Sequence, residues 1–295
     1  MTTSPFDTVT VLGTGVLGSQ IIFQTAYCGI PVVAYDISDE ALDRLPERWE
    51  QLKTYYRRDL QATDEQLDAA VARISATSDL AEAVASADLV IEAVPETIAI
   101  KKSTYEALSK VAPEHTVFAT NSSTLLLSDM VDAVDRPDKF VALHFANNIW
   151  VQNTAEIMRH EGTADEVFEQ LVQFAEAIGM VPIRVLKEQP GYVLNSLLVP
   201  FLNAAAALLV KGVADAPTID LTWRRATGAP KGPFEIYDII GMVTPYNLAM
   251  ARAAESPESA AFAQFLKTNF IDQGKLGRAS GEGFYKYDAE GNRLD

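Results

Sequence analysis

One cysteine, Cys28, and three histidines, His115, His144 and His160, are all that 295 residues provide as thiol or imidazole. A lone thiol forms no internal disulfide and no thiolate cage, which excludes a disulfide-stapled scaffold and a cysteine-ligated metal centre. Positive charge is scarce too: 24 Lys and Arg stand against 40 Asp and Glu, for a formal net charge of −16. Such a field repels phosphodiester backbones and anionic bilayers, so nucleic acid and membrane surfaces are not expected as partners. Long apolar runs are also missing. Only 193–210 approaches membrane-like hydrophobicity, and Asn195, Ser196, Pro200 and Asn203 interrupt it without basic anchors on both sides. It reads as a buried helix. The polar stretch 1–7 shows no charged and apolar leader, so a cytoplasmic protein is expected.

What is present is organised around the start of the chain. The β-branched run Val9 to Leu12 reads as a buried strand and passes through Gly13-Thr14-Gly15-Val16-Leu17-Gly18 into a helix-compatible segment ending near Ala26. Gly13 allows a tight turn and Gly15 lets backbone approach a pyrophosphate. Gly18 lets the helix pack on the strand and aim its positive N-terminus at the phosphates. Asp36 closes the next apolar run, Pro31 to Tyr35, where an acid accepts hydrogen bonds from an adenosine ribose. Three glycines at this spacing also make ordinary turns; the strand, the helix and the acid together point to a dinucleotide.

The same rhythm continues. Two charged helices are expected over 39–60 and 64–72, projecting as an antiparallel pair, followed by a doubly buried strand at 88–94. Further strands are expected at 116–120, ending in Asn121-Ser122-Ser123-Thr124, and at 140–144, ending in His144. In an open parallel sheet, Glu92, Asn121, Ser123 and His144 collect at the carboxyl edge, where such folds bind ligands. From Gly191 onwards only helix-like segments follow. The expected organisation is an α/β dinucleotide-binding domain at 1–188 and an all-helical domain at 189–295, serving substrate binding and dimerisation.

Among the histidines only His144 falls at the carboxyl end of a sheet strand. Glu156, twelve residues on, lies on a short strand that could return beside it. A carboxylate on one ring nitrogen fixes the tautomer and raises the basicity of the other, as proton exchange with an alcohol or ketone requires. The residues alone leave another reading open, a buried structural histidine with an unrelated surface glutamate.

The whole chain resembles the 3-hydroxyacyl-CoA dehydrogenase family. The matching pieces are Gly13-x-Gly15-x-x-Gly18, Val90-Ile91-Glu92-Ala93-Val94-Pro95-Glu96, Asn121-Ser122-Ser123, His144-Phe145-x-Asn147, Ala155-Glu156, Pro190-Gly191-Tyr192-Val193-x-Asn195, Gly232-Pro233-Phe234-Glu235 and Gly281 to Tyr287, in order along the chain. The resemblance implies a Rossmann-type domain followed by a helical one, an NAD-dependent dehydrogenase in fatty acid metabolism, and a homodimer. It implies His144 as acid/base, Glu156 as its orienting partner, and Ser123 and Asn195 as donors to the reacting oxygen. Around NAD it places Gly13, Gly15, Val16, Leu17, Gly18, Asp36, Glu96, Lys101, Ser123 and Asn147. No metal is implied.

The departures matter for the substrate. The stretch after His144 continues as Asn147-Asn148-Ile149-Trp150-Val151-Gln152-Asn153 rather than an asparagine-proline pair and small apolar residues, so Trp150 and three asparagines are expected to line the site. Ala279 and Ser280 precede Gly281, where the family commonly carries a lysine. Basic residues on the expected helical pair, Arg48, Lys53, Arg57 and Arg58, are mixed with Glu47, Glu50, Asp59, Asp64, Glu65 and Asp68, which dilutes the charge for gripping coenzyme A. These features look like the diketoreductase branch, which reduces β-keto and β,δ-diketo esters with NADH. The alternatives are an L-3-hydroxyacyl-CoA (3-hydroxybutyryl-CoA) dehydrogenase and a non-catalytic, crystallin-like NAD-binding protein. The joint presence of Ser123, His144, Glu156 and Asn195 speaks against the last, since a fold needs none of these in combination. A Rossmann enzyme that oxidises and decarboxylates β-hydroxy acids with a catalytic lysine is disfavoured by the blocks around His144 and Asn195.

Overall fold

Short runs of aliphatic residues, buried on both faces, build the centre of the first unit. The computed structural model describes residues 3–288 and 291–294, and the chain folds as two units, Met1–Val193 and Leu194–Asp295. Among the described residues the first unit holds an eight-stranded sheet: β1 (Val9–Leu12), β2 (Val32–Tyr35), β3 (Ile74–Thr77), β4 (Leu89–Glu92), β5 (Val117–Thr120), β6 (Phe140–Phe145), β7 (Thr154–Met158) and β8 (Val181–Val185). Their spatial order is β3-β2-β1-β4-β5-β6-β7-β8. The strands from β1 to β6 are parallel, β7 runs antiparallel to β6, and β8 is parallel to β7.

Period two in the strands sorts the core onto two sides. Val9, Val11, Leu89, Ile91, Val117, Ala119, Val141 and Leu143 join one apolar cluster. Their neighbours Leu12, Val90, Phe118, Phe140 and Ala142 join the other. Helices cover these faces: α1 (Val16–Tyr27), α2 (Asp39–Asp43), α3 (Leu45–Leu60), α4 (Asp64–Val71), α5 (Leu80–Val84), α6 (Ile98–Val111) and α7 (Asp165–Ala177). Each four-residue strand of the sheet centre is buried throughout, as a doubly covered parallel strand must be.

Two expectations change here. The single helix expected over 39–60 breaks at Arg44, because Pro46 cannot sit inside a helix and instead occupies the first turn of α3. Rather than projecting freely, α3 buries Trp49, Leu52 and Tyr56 against α1, with the Phe23 and Tyr56 ring centroids 4.9 Å apart. Strand β3 goes unannounced by the sequence: Ile74-Ser75-Ala76-Thr77 is an edge strand with no continuous apolar run. At the opposite margin, β8 carries Pro182 in its second position, and Arg184 pairs with Glu169 of α7 at 2.5 Å.

The helical unit contains α8 (Leu194–Val210), α9 (Ala216–Thr227), α10 (Pro233–Ile240), α11 (Val243–Ala251) and α12 (Pro257–Asn269). Two buried carboxylates tie it together. Asp220 accepts from the amides of Phe234 and Glu235 and from the Tyr285 hydroxyl, and Asp238 accepts from the amides of Phe284 and Tyr285 and from the Tyr287 hydroxyl. A Cβ on Gly283 would lie 2.1 Å from Asp238 Oδ1, so the Gly281 to Tyr287 motif is an internal lock. Helix α8 departs from expectation: only Leu202, Ala205 and Ala206 are buried, while Leu197 is 70% exposed. Its other apolar residues include Leu194 and Leu208, both exposed. No helix among the described residues is long and apolar enough to cross a membrane.

Candidate active site

Strand β1 lies between β2 and β4, so successive connections leave it in opposite directions and open a crevice at its carboxyl end. The glycine loop fills that position. Gly13 has φ of 98°, and a Cβ there would lie 2.6 Å from Ala93 O; on Gly18 it would lie 2.0 Å from Gly13 O. Loop, strand and helix thus touch backbone to backbone. Gly15, by contrast, faces open space and is exposed, as is Val16, and no side chain caps the first amides of α1. An uncapped helix start beside an open glycine fits a pyrophosphate. Leu17, half-buried, packs against the core from the same loop.

Asp36 follows the end of β2. Its Oδ2 accepts from the Thr14 amide at 2.9 Å and the Thr14 hydroxyl at 2.7 Å, and Oδ1 accepts from the Ser38 amide. Thr14, which sequence reading passed over, therefore fixes the acid against the loop. The residues after it are Ile37, largely exposed, and Ser38, so no cation stands beside it in sequence.

Further along the carboxyl edge, β4 and β5 end in a buried polar network. Glu92 is fully buried; its Oε1 accepts from Lys101 Nζ at 2.6 Å and the Val94 amide at 2.9 Å, and its Oε2 accepts from Thr120 at 2.8 Å. Lys101, 1% exposed, also lies 3.3 Å from Glu96. Glu96 Oε1 accepts from the Ser122 hydroxyl, the Ser123 amide and both the amide and hydroxyl of Thr124, at 2.6–2.9 Å. Burial alone would raise its pKa, but the Ser122 hydrogen bond, the Lys101 charge and the two Thr124 hydrogen bonds together hold the carboxyl below its usual range.

One strand over, the β6/β7 register sets His144 opposite Glu156. His144 Nδ1 meets Glu156 Oε2 at 3.0 Å, and its Nε2 meets Ser123 Oγ at 3.1 Å. Both His144 and Glu156 are buried. With Nδ1–H donating to the carboxylate, Nε2 accepts from the serine; once protonated, it donates. The other Glu156 oxygen accepts from the Val193 amide at 2.9 Å. Tyr192, whose part sequence reading missed, stacks on the imidazole at a centroid distance of 4.6 Å and 16° between planes.

The structure thus brings Ser123, His144, Glu156, Glu96 and Lys101 into one connected set beyond β4 to β7, with the glycine loop and Asp36 beyond β1 and β2. Asn147 is exposed on the segment after β6, and Asn195 lies in the first turn of α8, in the other unit. His115 instead faces Asp88 at 3.4 Å, and His160 bonds the Pro137 carbonyl at 2.8 Å. Trp150 does not line the site as expected. It is 6% exposed, stacks on Tyr55 at 5.5 Å and 10°, and donates its indole N–H to Asp59 at 2.8 Å, because a large ring gains more by joining the α3 core than by facing the crevice. Asn153 likewise turns away, donating to Gly179 O. Each of three α3 cations has an acid against it: Lys53 with Glu50 and Asp68, Arg57 with Asp64, Arg58 with Asp59. Among the described residues no cluster of His, Cys, Asp and Glu could hold a metal ion.

Two family models match the chain: 3-hydroxyacyl-CoA dehydrogenase, NAD binding domain, over residues 8–189, and 3-hydroxyacyl-CoA dehydrogenase, C-terminal domain, over residues 191–287. The chain is 34% identical over 285 residues to the mitochondrial hydroxyacyl-coenzyme A dehydrogenase of Rattus norvegicus, covering 95% of this chain and 90% of the relative. Among solved structures, a diketoreductase described by its dual catalysis of dicarbonyl compounds is 56% identical with a TM-score of 0.92, covering 97% of this chain and 100% of the other. The (S)-3-hydroxybutyryl-CoA dehydrogenase PaaH1 from Ralstonia eutropha is 27% identical with a TM-score of 0.81, covering 96% and 99%.

Proposed function

The chain belongs to the 3-hydroxyacyl-CoA dehydrogenase family, and from that premise we propose that it is a reductase of β-keto and β,δ-diketo esters that uses His144 as its acid/base. It is an NAD-dependent oxidoreductase interconverting hydroxyl and keto groups, as its family and relatives are. The ester substrate is supported by the likeness to the diketoreductase over nearly the whole chain. The single observation that carries the acid/base assignment is the continuous chain Ser123 Oγ, His144 Nε2, His144 Nδ1, Glu156 Oε2, with links of 3.1 and 3.0 Å.

When bound, NADH supplies the hydride that reduces the carbonyl carbon. The Gly13 to Gly18 loop and α1 hold the pyrophosphate, with the Val16 and Leu17 amides at the helix start, and Asp36 accepts from the ribose. Glu96, Lys101 and Asn147 complete the cofactor's surroundings. As negative charge develops on the carbonyl oxygen, protonated His144 Nε2 donates its proton to it. Glu156 holds the Nδ1 proton and stabilises the imidazolium meanwhile. Ser123 donates a hydrogen bond to the same oxygen, and a donor so placed contributes roughly 3–4 kcal/mol. Proton transfer adds about a hundred- to ten-thousandfold. In the oxidative direction His144 accepts the proton instead.

We further assign a homodimer through the helical unit, supported by the exposed Leu194, Leu197 and Leu208 of α8. A monomer in light scattering at micromolar concentration overturns that assignment. The same reading places the chemistry in fatty acid metabolism, with the cytoplasm as its setting, to be checked by cell fractionation. The deciding experiment for substrate is NADH consumption across acetoacetyl-CoA, the matching free acid and a simple diketo ester. Activity confined to the thioester restores the reading of an L-3-hydroxyacyl-CoA dehydrogenase, and none on any of them leaves a binding protein.

A further inference from the structure

Tyr192 has φ of 53°, a left-handed conformation that bulky residues rarely adopt, next to Gly191 at 78°. It is nevertheless 1% exposed, and what surrounds it is the site. Its ring lies nearly parallel to the His144 imidazole at 4.6 Å. Its hydroxyl donates to Ser122 O at 2.8 Å, and the amide that follows it, on Val193, donates to Glu156 Oε1 at 2.9 Å. One turn of chain therefore meets the imidazole, its carboxylate partner and the serine loop. Backbone strain of this kind persists only where the surroundings over-determine it, and it gathers at functional sites.

The geometry defines what Tyr192 adds. The His144 ring is hydrogen-bonded at Nδ1 and Nε2, and the motion its side chain retains is rotation about Cβ–Cγ, which carries both nitrogens away from their partners. A parallel aromatic face stops that motion and keeps water off one side of the ring. The hydroxyl acts on a different part. Ser122 O and Ser123 N belong to the same peptide group: the first accepts from Tyr192 and the second donates to Glu96 Oε1 at 2.9 Å. That peptide is gripped at both ends, which aims Ser123 Oγ at His144. Burial, with Glu96 and Glu156 nearby, pushes the phenol's pKa up, so the hydroxyl keeps its proton and stays a donor.

We propose that Tyr192 is a positioning residue for the reaction, its ring setting the plane of the His144 imidazole and its hydroxyl setting the Ser122–Ser123 peptide. The role rests on the acid/base reading of His144. Steady-state rates with NADH and a β-keto ester, together with NADH dissociation constants from fluorescence quenching, are compared for Tyr192→Phe, Tyr192→Leu and His144→Ala. Tyr192→Phe keeps the ring and loses the brace; kcat falls roughly 5–10-fold, and Tyr192→Leu loses a further tenfold or more, in line with the sensitivity of turnover to small misplacements. NADH affinity stays at the wild-type value in both. Wild-type kcat in Tyr192→Phe, or a loss of NADH affinity proportional to the loss of kcat, overturns the role. Should Tyr192→Leu fail to fold, the nearly isosteric Phe variant still decides. Wild-type turnover by His144→Ala sinks the acid/base reading itself, whereas an inactive His144→Ala beside a fully active Tyr192→Phe rejects only the positioning role.

Discussion

Glu156 stands directly opposite His144 across the antiparallel rungs of β6 and β7, and its carboxylate reaches Nδ1 at 3.0 Å. Because side chains alternate between faces, this pairing is a property of the strand register, and a slip of β7 by one residue would turn Glu156 to the face away from His144. The sheet therefore decides which ring nitrogen meets the carboxylate, whereas Asp36 and Ser123 follow the ends of their strands.

Replacing Glu156 by glutamine keeps the shape and removes the charge that supports the imidazolium. The turnover number should fall by about ten- to a thousandfold at neutral pH, on the scale of acid/base contributions, with NADH binding intact. Stopped-flow and steady-state assays of Glu156→Gln check this, and wild-type rates would remove Glu156 from the mechanism.

NAD should be preferred to NADP. The Asp36 carboxylate, fixed by Thr14, repels a 2′-phosphate, and Ile37 and Ser38 offer no compensating cation. Catalytic efficiency measured with NADH and NADPH should differ strongly in the wild type and converge in Asp36→Ala. Equal efficiencies in the wild-type protein contradict the assignment.

The helical unit should respond to acid through Asp238, whose burial pushes its pKa up to about 6 despite the hydrogen bonds that favour the anion. A carboxyl with a folded pKa above its unfolded value binds protons more tightly when folded. Its stabilising contribution is thus present below pH ~4 and is lost as the pH rises through about 6. Thermal melts of wild type and Asp238→Asn across that window should show the wild type gaining stability on acidification relative to the variant, since other titrations are common to both. A constant difference would refute the link.

Coenzyme A should matter little. A nucleotide handle contributes remote binding energy only if cations grip it. Lys53, Arg57 and Arg58 each already have a carboxylate partner at 2.6–2.9 Å. Replacing Arg57 and Arg58 by glutamine should change catalytic efficiency for acetoacetyl-CoA by no more than about threefold, the worth of exposed ion pairs. A tenfold advantage of the thioester over a comparable ester, lost in that variant, would show that these residues do bind the nucleotide.

Much of this was legible in the residues because burial on both faces leaves a strong signature: β1, β4, β5 and β6 read as apolar runs, and the loop after β1 reads as a turn only glycine can make. His144 stood out as the one histidine at a carboxyl strand end. Where one residue's role depends on a distant partner, pattern reading failed. Trp150 looked like site lining, but its ring joins Tyr55 and Asp59 on α3, a contact no local spacing encodes. Lys101 meets both Glu92 and Glu96, and its contact with Glu92 at the end of β4 is one that local spacing does not encode. Strand β3 escaped notice because an edge strand can be polar, and Tyr192 because its stack depends on a left-handed turn that propensity disfavours.

Strand β8 gives the margin of the sheet a further meaning. An unpaired strand edge is a template on which another chain can grow, and here a proline with no donor and a fixed arginine–glutamate pair spoil that template. Ile183 of β8 is the rung beside Glu156, so this border lies one strand from the ladder that aligns the carboxylate with its histidine. The residues that blunt this edge thus stand one strand away from the rung on which carboxylate and histidine meet.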